Sequence, residues 1–293
     1  MSDKPALRPD VAVGEALCAV ARDILSDARA ALEARSDAEA VHEFRRQMKR
    51  WRAFLRLIDP FLGEDGRRLR TEARDLARAL GGARDAQSAL DALGDIGGHR
   101  LEVSERSLNT LRKRIEAIRA AAEATILTGD MRVRLVRAID DAGAAVEQWP
   151  LHGLTFAEIA ERLARGYRAA RRAQPPSWPE AAAETLHELR KRIVDQRYQM
   201  ELLAQLWPRF GKMWLGETQR LRNRLGKHQD LLVLERLAGP HQPLAYWRAR
   251  LAPAIKRRRA AHVGAARRIA TRLLVEKPSA FRRRLDAMWQ AAA

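Results

Sequence analysis

One face of a predicted helix between residues 42 and 56 carries five side chains that can bind an anion. These five, which we call the cationic stripe, are His42, Arg45, Lys49, Arg52 and Arg56. With about 100° of rotation per residue, they fall within an arc of about 80°. Guanidinium and ammonium groups repeated along one face match the charges of a phosphate-rich ligand. We expect each histidine to donate an N–H to phosphate, and to do so better when it is protonated below a pH of about 6.5.

The neighbouring face of the same helix is apolar, which predicts that the cationic stripe lies beside a core. Phe44, Met48, Trp51 and Leu55 share that face. Like charges three and four residues apart repel each other and weaken an isolated helix, and Glu43 lies off the stripe. A solvated surface face is the simpler interpretation. The alignment of five positions without an intervening carboxylate favours a bound anion that neutralises them.

A second predicted helix carries a weaker copy of the stripe. Its members are His187, Arg190, Lys191, Arg197 and Tyr198. Val194 and Glu201 stand where Lys49 and Arg56 stand in the first copy, so we expect the two helices to contribute unequally. The phenol of Tyr198 either donates a hydrogen bond to an oxyanion or packs inside the helical bundle.

Other basic residues complete the candidate binding set. They are Arg46 and Arg50 on the first helix, Arg168, Arg171 and Arg172 before the second, and Arg220, Arg224 and Lys227 beyond it. Cations at the end of a surface helix also complement the helix dipole, which is the alternative interpretation of Arg168, Arg171 and Arg172. The run from Lys256 to Arg259 is predicted to face solvent.

The composition indicates a polyanionic or acidic partner. The chain has 293 residues with 55 basic and 37 acidic side chains, a formal net charge of +18. Eight of the basic residues are lysine and 47 are arginine. Arginine presents a planar fork of donors that fits phosphate oxygens. A GC-rich coding bias also raises the arginine content, but it does not set the sign of the net charge.

Several classes of site and location are excluded or disfavoured. Cys18 is the single cysteine, which excludes an intrachain disulfide and a cysteine-based metal site. The sequence contains no His-Glu-x-x-His pair, and no uncharged apolar stretch approaches the ~18 residues of a membrane span. Met1 to Asp10 lacks the apolar segment of a secretory signal. We therefore expect a soluble cytoplasmic protein that is not an enzyme and holds no metal or cofactor.

The periodicity predicts an all-α protein built of helical bundles. Alanine, leucine, arginine and glutamate dominate, and alternating β-branched runs are absent. Glycine and proline pairs mark the turns, for example at Gly81-Gly82 and Gly239-Pro240. The predicted helices span residues 10–35, 38–59, 64–80, 84–94, 98–127, 130–148, 153–173, 179–207, 210–226, 229–238, 242–275 and 278–291.

An internal repeat divides the chain into two halves. The segment Val41-His42-Glu43-Phe44-Arg45 matches Leu186-His187-Glu188-Leu189-Arg190, and Leu80-Gly81 through Asp85 matches Leu225-Gly226 through Asp230. Both matches share an offset of 145 residues, which chance rarely produces. We predict homologous halves at 8–150 and 151–291, with the two His helices around one shared cavity. Asp85 and Asp230 are interpreted as helix N-caps or as partners that orient the basic residues.

These paired motifs resemble the CHAD domain, the conserved histidine α-helical domain, over roughly residues 8–290. His42, Arg45, Lys49, Arg50 and Arg52 fit the family motif, as do His187, Arg190, Arg197 and Tyr198, whereas Val194 and Asp195 depart from it. The resemblance implies two antiparallel four-helix bundles with pseudo-twofold symmetry around a basic central cavity. It also implies binding of inorganic polyphosphate and an association with polyphosphate granules.

Three other functions compete with this interpretation. Nucleic-acid binding fits the charge, but aromatic residues make up only 5% of the chain and no known nucleic-acid module is present. A phosphotransfer role is raised by His187-Glu188-Leu189-Arg190, a weak four-residue match without a nucleotide-binding loop. A granule-associated scaffold that recognises a partner protein is the third.

A histidine buried in the core and bonded to Asp85 is the structural alternative for His42.

Overall fold

The computed structural model describes residues 4–82, 84–97, 104–123 and 126–293. In those residues the chain forms eleven α-helices and one 3₁₀ turn, Ala245–Trp247, and no strand. The helices are α1 (Val13–Ala31), α2 (Asp37–Leu62), α3 (Glu64–Ala79), α4 (Arg84–Gly97), α5 (Glu105–Glu123), α6 (Gly129–Val146), α7 (Phe156–Arg172), α8 (Ala183–Glu201), α9 (Pro208–Leu237), α10 (Arg248–Leu273) and α11 (Pro278–Ala292). The predicted all-α class is confirmed.

The starts of the helices follow local capping chemistry. The hydroxyl of Ser36 accepts the N–H of Glu39 at 3.3 Å and so begins α2, the first His helix. At the start of α7, Thr155 accepts from the backbone of Glu158 while the Glu158 carboxylate accepts from the backbone of Thr155, a complete capping box. Gly63, with a φ of 61°, makes the left-handed turn between α2 and α3.

Helix α2 continues through Pro60, where the sequence predicted a break. Because proline has no N–H, the carbonyl of Arg56 loses its helical donor. Arg162 of α7 supplies the missing donor, with Nη2 3.2 Å from the Arg56 carbonyl oxygen, and its Nε lies 3.3 Å from the carbonyl oxygen of Leu57. The defect in α2 therefore becomes a contact with α7.

The predicted helices 210–226 and 229–238 form a single helix, α9, so the break predicted between them was wrong. An isolated glycine is tolerated inside a helix, and Gly226 is buried within α9. Asp230 consequently lies inside α9 and is not an N-cap. In the first half, by contrast, Leu80 to Gly82 do form a turn. Of the predicted helix 98–127, residues 98–103 and 124–125 lie outside the described residues.

Two apolar cores organise the helices. The larger contains side chains of α1–α3, α6–α8 and α11 with the adjoining ends of α9 and α10. The smaller joins α4 and α5 to the later part of α9 and the start of α10. Helices α1, α2, α3 and α6 contact one another in a ring. The pseudo-twofold pair of bundles and the division into 8–150 and 151–291 remain predictions.

The two His helices, α2 and α8, pack against each other. The Gln199 amide of α8 donates to the carbonyl of Ala53 in α2 at 2.9 Å, and Arg56 of α2 forms an ion pair with Asp195 of α8. Both cavities described below are lined by these two helices. Within the described part of the chain, no helix is long and apolar enough to cross a membrane.

Candidate anion-binding site

A cavity of about 1740 Å³ is lined mainly by α2, α4, α8 and α9. We call it the first cavity. Its lining includes five cations that we call the cationic core: Arg45, Lys49, Arg84, Arg190 and Arg222. Four different helices supply them, so only the assembled fold brings these charges together.

No carboxylate forms an ion pair with the described cations of the cationic core, although the charge of Asp230 acts on Arg190. Among the described residues, none of its five members makes an ion pair within 4.0 Å. Burial, followed by the charges of Arg84, Arg190, Arg45 and Arg222, lowers the pKa of Lys49 to about 7. Burial and the same neighbours Arg84 and Arg222 lower the pKa of Arg190 to about 10. An anion in the cavity would relieve this repulsion and favour the charged forms.

The repeated Leu-Gly motif positions one arginine in each half. The guanidinium of Arg45 donates through Nη1 to the carbonyl of Leu80 in the turn after α3. At the equivalent place in the second half, Arg190 lies over Gly226, where a Cβ would be 3.5 Å from Nε. Nε of Arg190 is buried without a hydrogen-bond partner. The conformation of the second motif differs, but it still abuts the arginine that follows the histidine.

Other cations that line the first cavity are held by carboxylates. The pairs are Arg46 with Glu43 at 2.8 Å, Arg50 with Asp23 at 2.9 Å, Arg197 with Glu201 at 2.9 Å, and Lys227 and Arg258 with Asp95 at 2.9 and 2.8 Å. Such pairs fix the side chains in place and reduce their net charge. We call these five paired cations the rim. The rim has little net charge, whereas the cationic core carries charge that no ion pair balances.

Two carboxylates also lie in the first cavity with a raised pKa. Burial raises the pKa of Glu201, although Arg197 opposes the shift. Burial likewise raises the pKa of Asp230, and a hydrogen bond with Ser88 and the charge of Arg190 oppose it. Among the described residues, no three His, Cys, Asp or Glu side chains come together in a group that could hold a metal ion.

A second cavity of about 520 Å³ is lined by α2, α3, α7 and α8. It contains the last two members of the cationic stripe, Arg52 and Arg56. His42, Arg45 and Lys49 line the first cavity instead. The stripe that the sequence places on one helix face is thus divided between two cavities.

A family model for the CHAD domain matches residues 15–239 of this chain. The chain belongs to the CHAD family. A crystal structure of the CHAD domain from the plant Ricinus communis is similar in fold, with a TM-score of 0.60 and 21% sequence identity over 99% of this chain and 95% of that one. A search of curated proteins found no match. The predicted resemblance is confirmed.

The two histidines of this CHAD domain differ in environment. The side chain of His42 is 78% exposed and lines the first cavity, with Nε2 4.0 Å from a Glu43 oxygen. The alternative of a core histidine bonded to Asp85 is wrong, since Asp85 is exposed and pairs with Arg236 at 3.5 Å. His187 is half-buried, and its Nδ1 is buried without a partner. Burial and nearby cations lower its pKa, which favours the neutral ring.

Several predicted binding residues of the CHAD domain lie away from the first cavity. Lys191 pairs with Glu188, Arg220 pairs with Glu217 at 2.7 Å, and the guanidinium of Arg224 lies 3.5 Å from His262. Arg168 and Arg172 line shallow clefts beside α7. The residues concerned, none of which lines the first cavity, are Arg168, Arg171, Arg172, His187, Lys191, Arg220 and Arg224.

Two members of the cationic core were missed at the sequence level. Arg84 belongs to the repeated Leu-Gly motif, so the repeat itself was a usable signal for it. Arg222 lies between Arg220 and Arg224, which were chosen in its place. At about 100° per residue, Arg222 points about 160° away from both, so it cannot share a helix face with Arg220 and Arg224. Helix periodicity could have separated Arg222 from this pair. It could not have shown which side of the helix lines the cavity.

Proposed function

We propose that this CHAD protein binds inorganic polyphosphate in the first cavity. The observation that carries the proposal is the cationic core, in which five cations from four helices converge without an ion pair among the described residues. Arg84 is exposed and the other four cations are half-buried, and such a cluster of like charges is unfavourable until an anion enters it. Arginine forks bind phosphate oxygens through pairs of hydrogen bonds.

The size of the first cavity favours a polymer over a single small anion. Its volume of about 1740 Å³ exceeds the range of about 300–1000 Å³ that is usual for small-molecule pockets. The rim cations extend the charged lining beyond the cationic core. A flexible chain with a charge on every unit can contact the core and the rim at once, which a single phosphate cannot do.

The lining of the first cavity supports polyphosphate over nucleic acid. Single-stranded nucleic acids are held largely by bases stacked on exposed aromatic rings. Phe54 is 3% exposed, and the ring of Tyr198 lies beneath the guanidinium of Arg197, 5.2 Å from its centroid. Phe54 therefore offers no face to a base, and Arg197 already covers one face of Tyr198. Polyphosphate has no base and needs only closely spaced cations.

We infer a binding role rather than an enzymatic one, with the protein in the cytoplasm at polyphosphate granules. The charged groups of the cationic core are suited to hold phosphate groups, and the four guanidiniums among them are poor general bases because they stay protonated. The location follows from the proposed ligand and from the family resemblance. Binding through phosphate contacts releases counterions, so affinity should fall steeply as salt is raised.

A matched pair of variants on α9 tests the proposal. Arg222→Glu changes the cationic core, whereas Arg220→Glu changes an exposed arginine two residues away that pairs with Glu217. A lost charge-assisted hydrogen bond costs about 1.5–3 kcal/mol, or about 10- to 100-fold in affinity. We expect that loss for Arg222→Glu and less than about threefold for Arg220→Glu, with circular dichroism and Tm close to wild type in both.

The measurement is titration of the purified protein with long-chain polyphosphate at two salt concentrations, with DNA as the competitor. Polyphosphate should displace DNA at much lower concentration than DNA displaces polyphosphate. Equal losses in the two variants would show that only the overall charge matters. An unchanged affinity of Arg222→Glu would remove the first cavity as the binding site.

A further inference from the structure

The arginines that line the second cavity outnumber the carboxylates that pair with them. Its lining contains one carboxylate and seven arginines: Arg52, Arg56, Arg70, Arg74, Arg162, Arg165 and Arg192. The carboxylate, Asp195, is already paired with Arg56. Four other guanidiniums are held by carboxylates that do not line the cavity, for example Arg70 by Asp59 at 2.8 Å. The seven arginines are therefore fixed around the space with little neutralising charge in it.

Two of these arginines make no ion pair within the described chain. Nε of Arg52 is buried without a hydrogen-bond partner, and burial followed by the charge of Arg56 lowers the Arg52 pKa. Arg162 is anchored by the backbone carbonyls of Arg56 and Leu57 and makes no ion pair, although the charges of Asp59 and Glu161 act on it. Arg52 and Arg162 come from helices of the two predicted halves, so the cavity depends on the α2–α7 contact.

Buried amides in the same cavity also lack partners. Gln196 is 1% exposed, and neither its Nε2 nor its Oε1 has a hydrogen-bond partner. Gln199 donates to Ala53, while its Oε1 is unsatisfied. Buried polar atoms in folded proteins are nearly always hydrogen-bonded, so an amide without a partner beside guanidinium groups is placed to bind a polar ligand.

We propose that the second cavity is a separate site for a compact inorganic anion with linked phosphate groups, of which pyrophosphate is the simplest. Its volume of about 520 Å³ lies in the range usual for small ligands. Several arginine forks and one amide donor would surround such an anion. No residue lines both cavities, and the packed α2–α8 pair lines each of them. The inference is independent of polyphosphate binding in the first cavity.

The cavity lining also favours an inorganic anion over a nucleotide. Arginine, glutamine, glycine, alanine, threonine and aspartate make up its described lining, and no aromatic side chain is among them. A base would find no ring on which to stack. Pyrophosphate should therefore bind at least as tightly as ADP, which carries the same linked phosphates with a nucleoside attached.

Isothermal titration with pyrophosphate tests the site in the full-length protein. Arg52→Gln removes an unpaired cation from the second cavity, and Arg222→Gln makes the same change in the first. We expect Arg52→Gln to weaken pyrophosphate binding at least tenfold and to change long-chain polyphosphate affinity by less than about threefold. Arg222→Gln should show the opposite pattern. The affinity of the wild-type protein for long-chain polyphosphate is measured separately. If one of the two proposed sites does not bind its ligand, the other can still be tested.

A second variant distinguishes loss of the binding site from loss of the fold. Gln196→Leu fills the same space without a polar group and breaks no hydrogen bond in the structure, so the fold should persist. It should weaken pyrophosphate binding about three- to tenfold. Pyrophosphate affinity unchanged by both Arg52→Gln and Gln196→Leu would overturn the proposal. So would no binding to wild type, an equal loss in Arg222→Gln, or ADP binding more than tenfold tighter than pyrophosphate.

Discussion

Polyphosphate binding should take up a proton at Lys49, and its affinity should therefore fall as the pH rises above about 7. In the free protein, burial and the four guanidiniums of the cationic core lower the Lys49 pKa to about 7. A bound polyanion replaces this repulsion with attraction and returns the pKa toward its ordinary value of about 10.4. Because the complex holds the proton more tightly, binding takes up a proton between these two pKa values.

The magnitude follows from the free-state pKa. Between pH 6 and pH 8.5, the fraction of free protein with a charged Lys49 falls from about nine tenths to about one thirtieth. The corresponding loss is about 30-fold in affinity, or about 2 kcal/mol. At pH 8 the complex should take up about 0.9 proton at this site.

The assay is isothermal titration with long-chain polyphosphate, whose titratable end groups are few, in two buffers with different ionisation enthalpies. Lys49→Arg keeps the charge at every pH and retains the other titratable groups that line the cavity, among them His42, Tyr198, Glu201 and Asp230. Its affinity should vary by less than about threefold over the same range. If Lys49→Arg keeps the wild-type pH slope, or if proton uptake is the same in both proteins, Lys49 is not the group responsible.

Two further predictions concern the residues around the cationic core. Arg45→Glu should weaken long-chain polyphosphate binding at least tenfold, because it reverses a half-buried charge that makes no ion pair. Arg257→Glu, on the exposed face of α10, should have less than a threefold effect. Titration of both variants, with Tm as the folding control, compares them. Gly226→Ala should raise the free energy of unfolding by about 0.5–1 kcal/mol, since it improves helix propensity and its Cβ would meet Arg190 at an ordinary 3.5 Å. Gly226→Val should displace that guanidinium and weaken polyphosphate binding. Denaturant melts and titrations of the two variants would contradict this account if alanine destabilised α9 or if valine left the affinity unchanged.

The helical turns show where local sequence rules were sufficient and where they were not. Leu80-Gly81-Gly82 has two adjacent glycines and forms the predicted turn, whereas the equivalent Leu225-Gly226 has one and stays helical. A single glycine costs a helix about 1 kcal/mol, which the apolar packing of α9 can offset. Pro60 shows the same principle, because Arg162 from another helix supplies the donor that proline lacks.

The amino-acid sequence by itself determined the all-α class, the CHAD family and the face of α2 that carries the cationic stripe. These features depend on periodicity and on motif spacing, which are local in the chain. Only the tertiary structure decided that Lys49 and Arg52 line different cavities and that Arg222, not Arg220, joins the cationic core. The physical reason is that a cavity is bounded by helices distant in sequence, so its lining depends on how α2, α8 and α9 pack against one another.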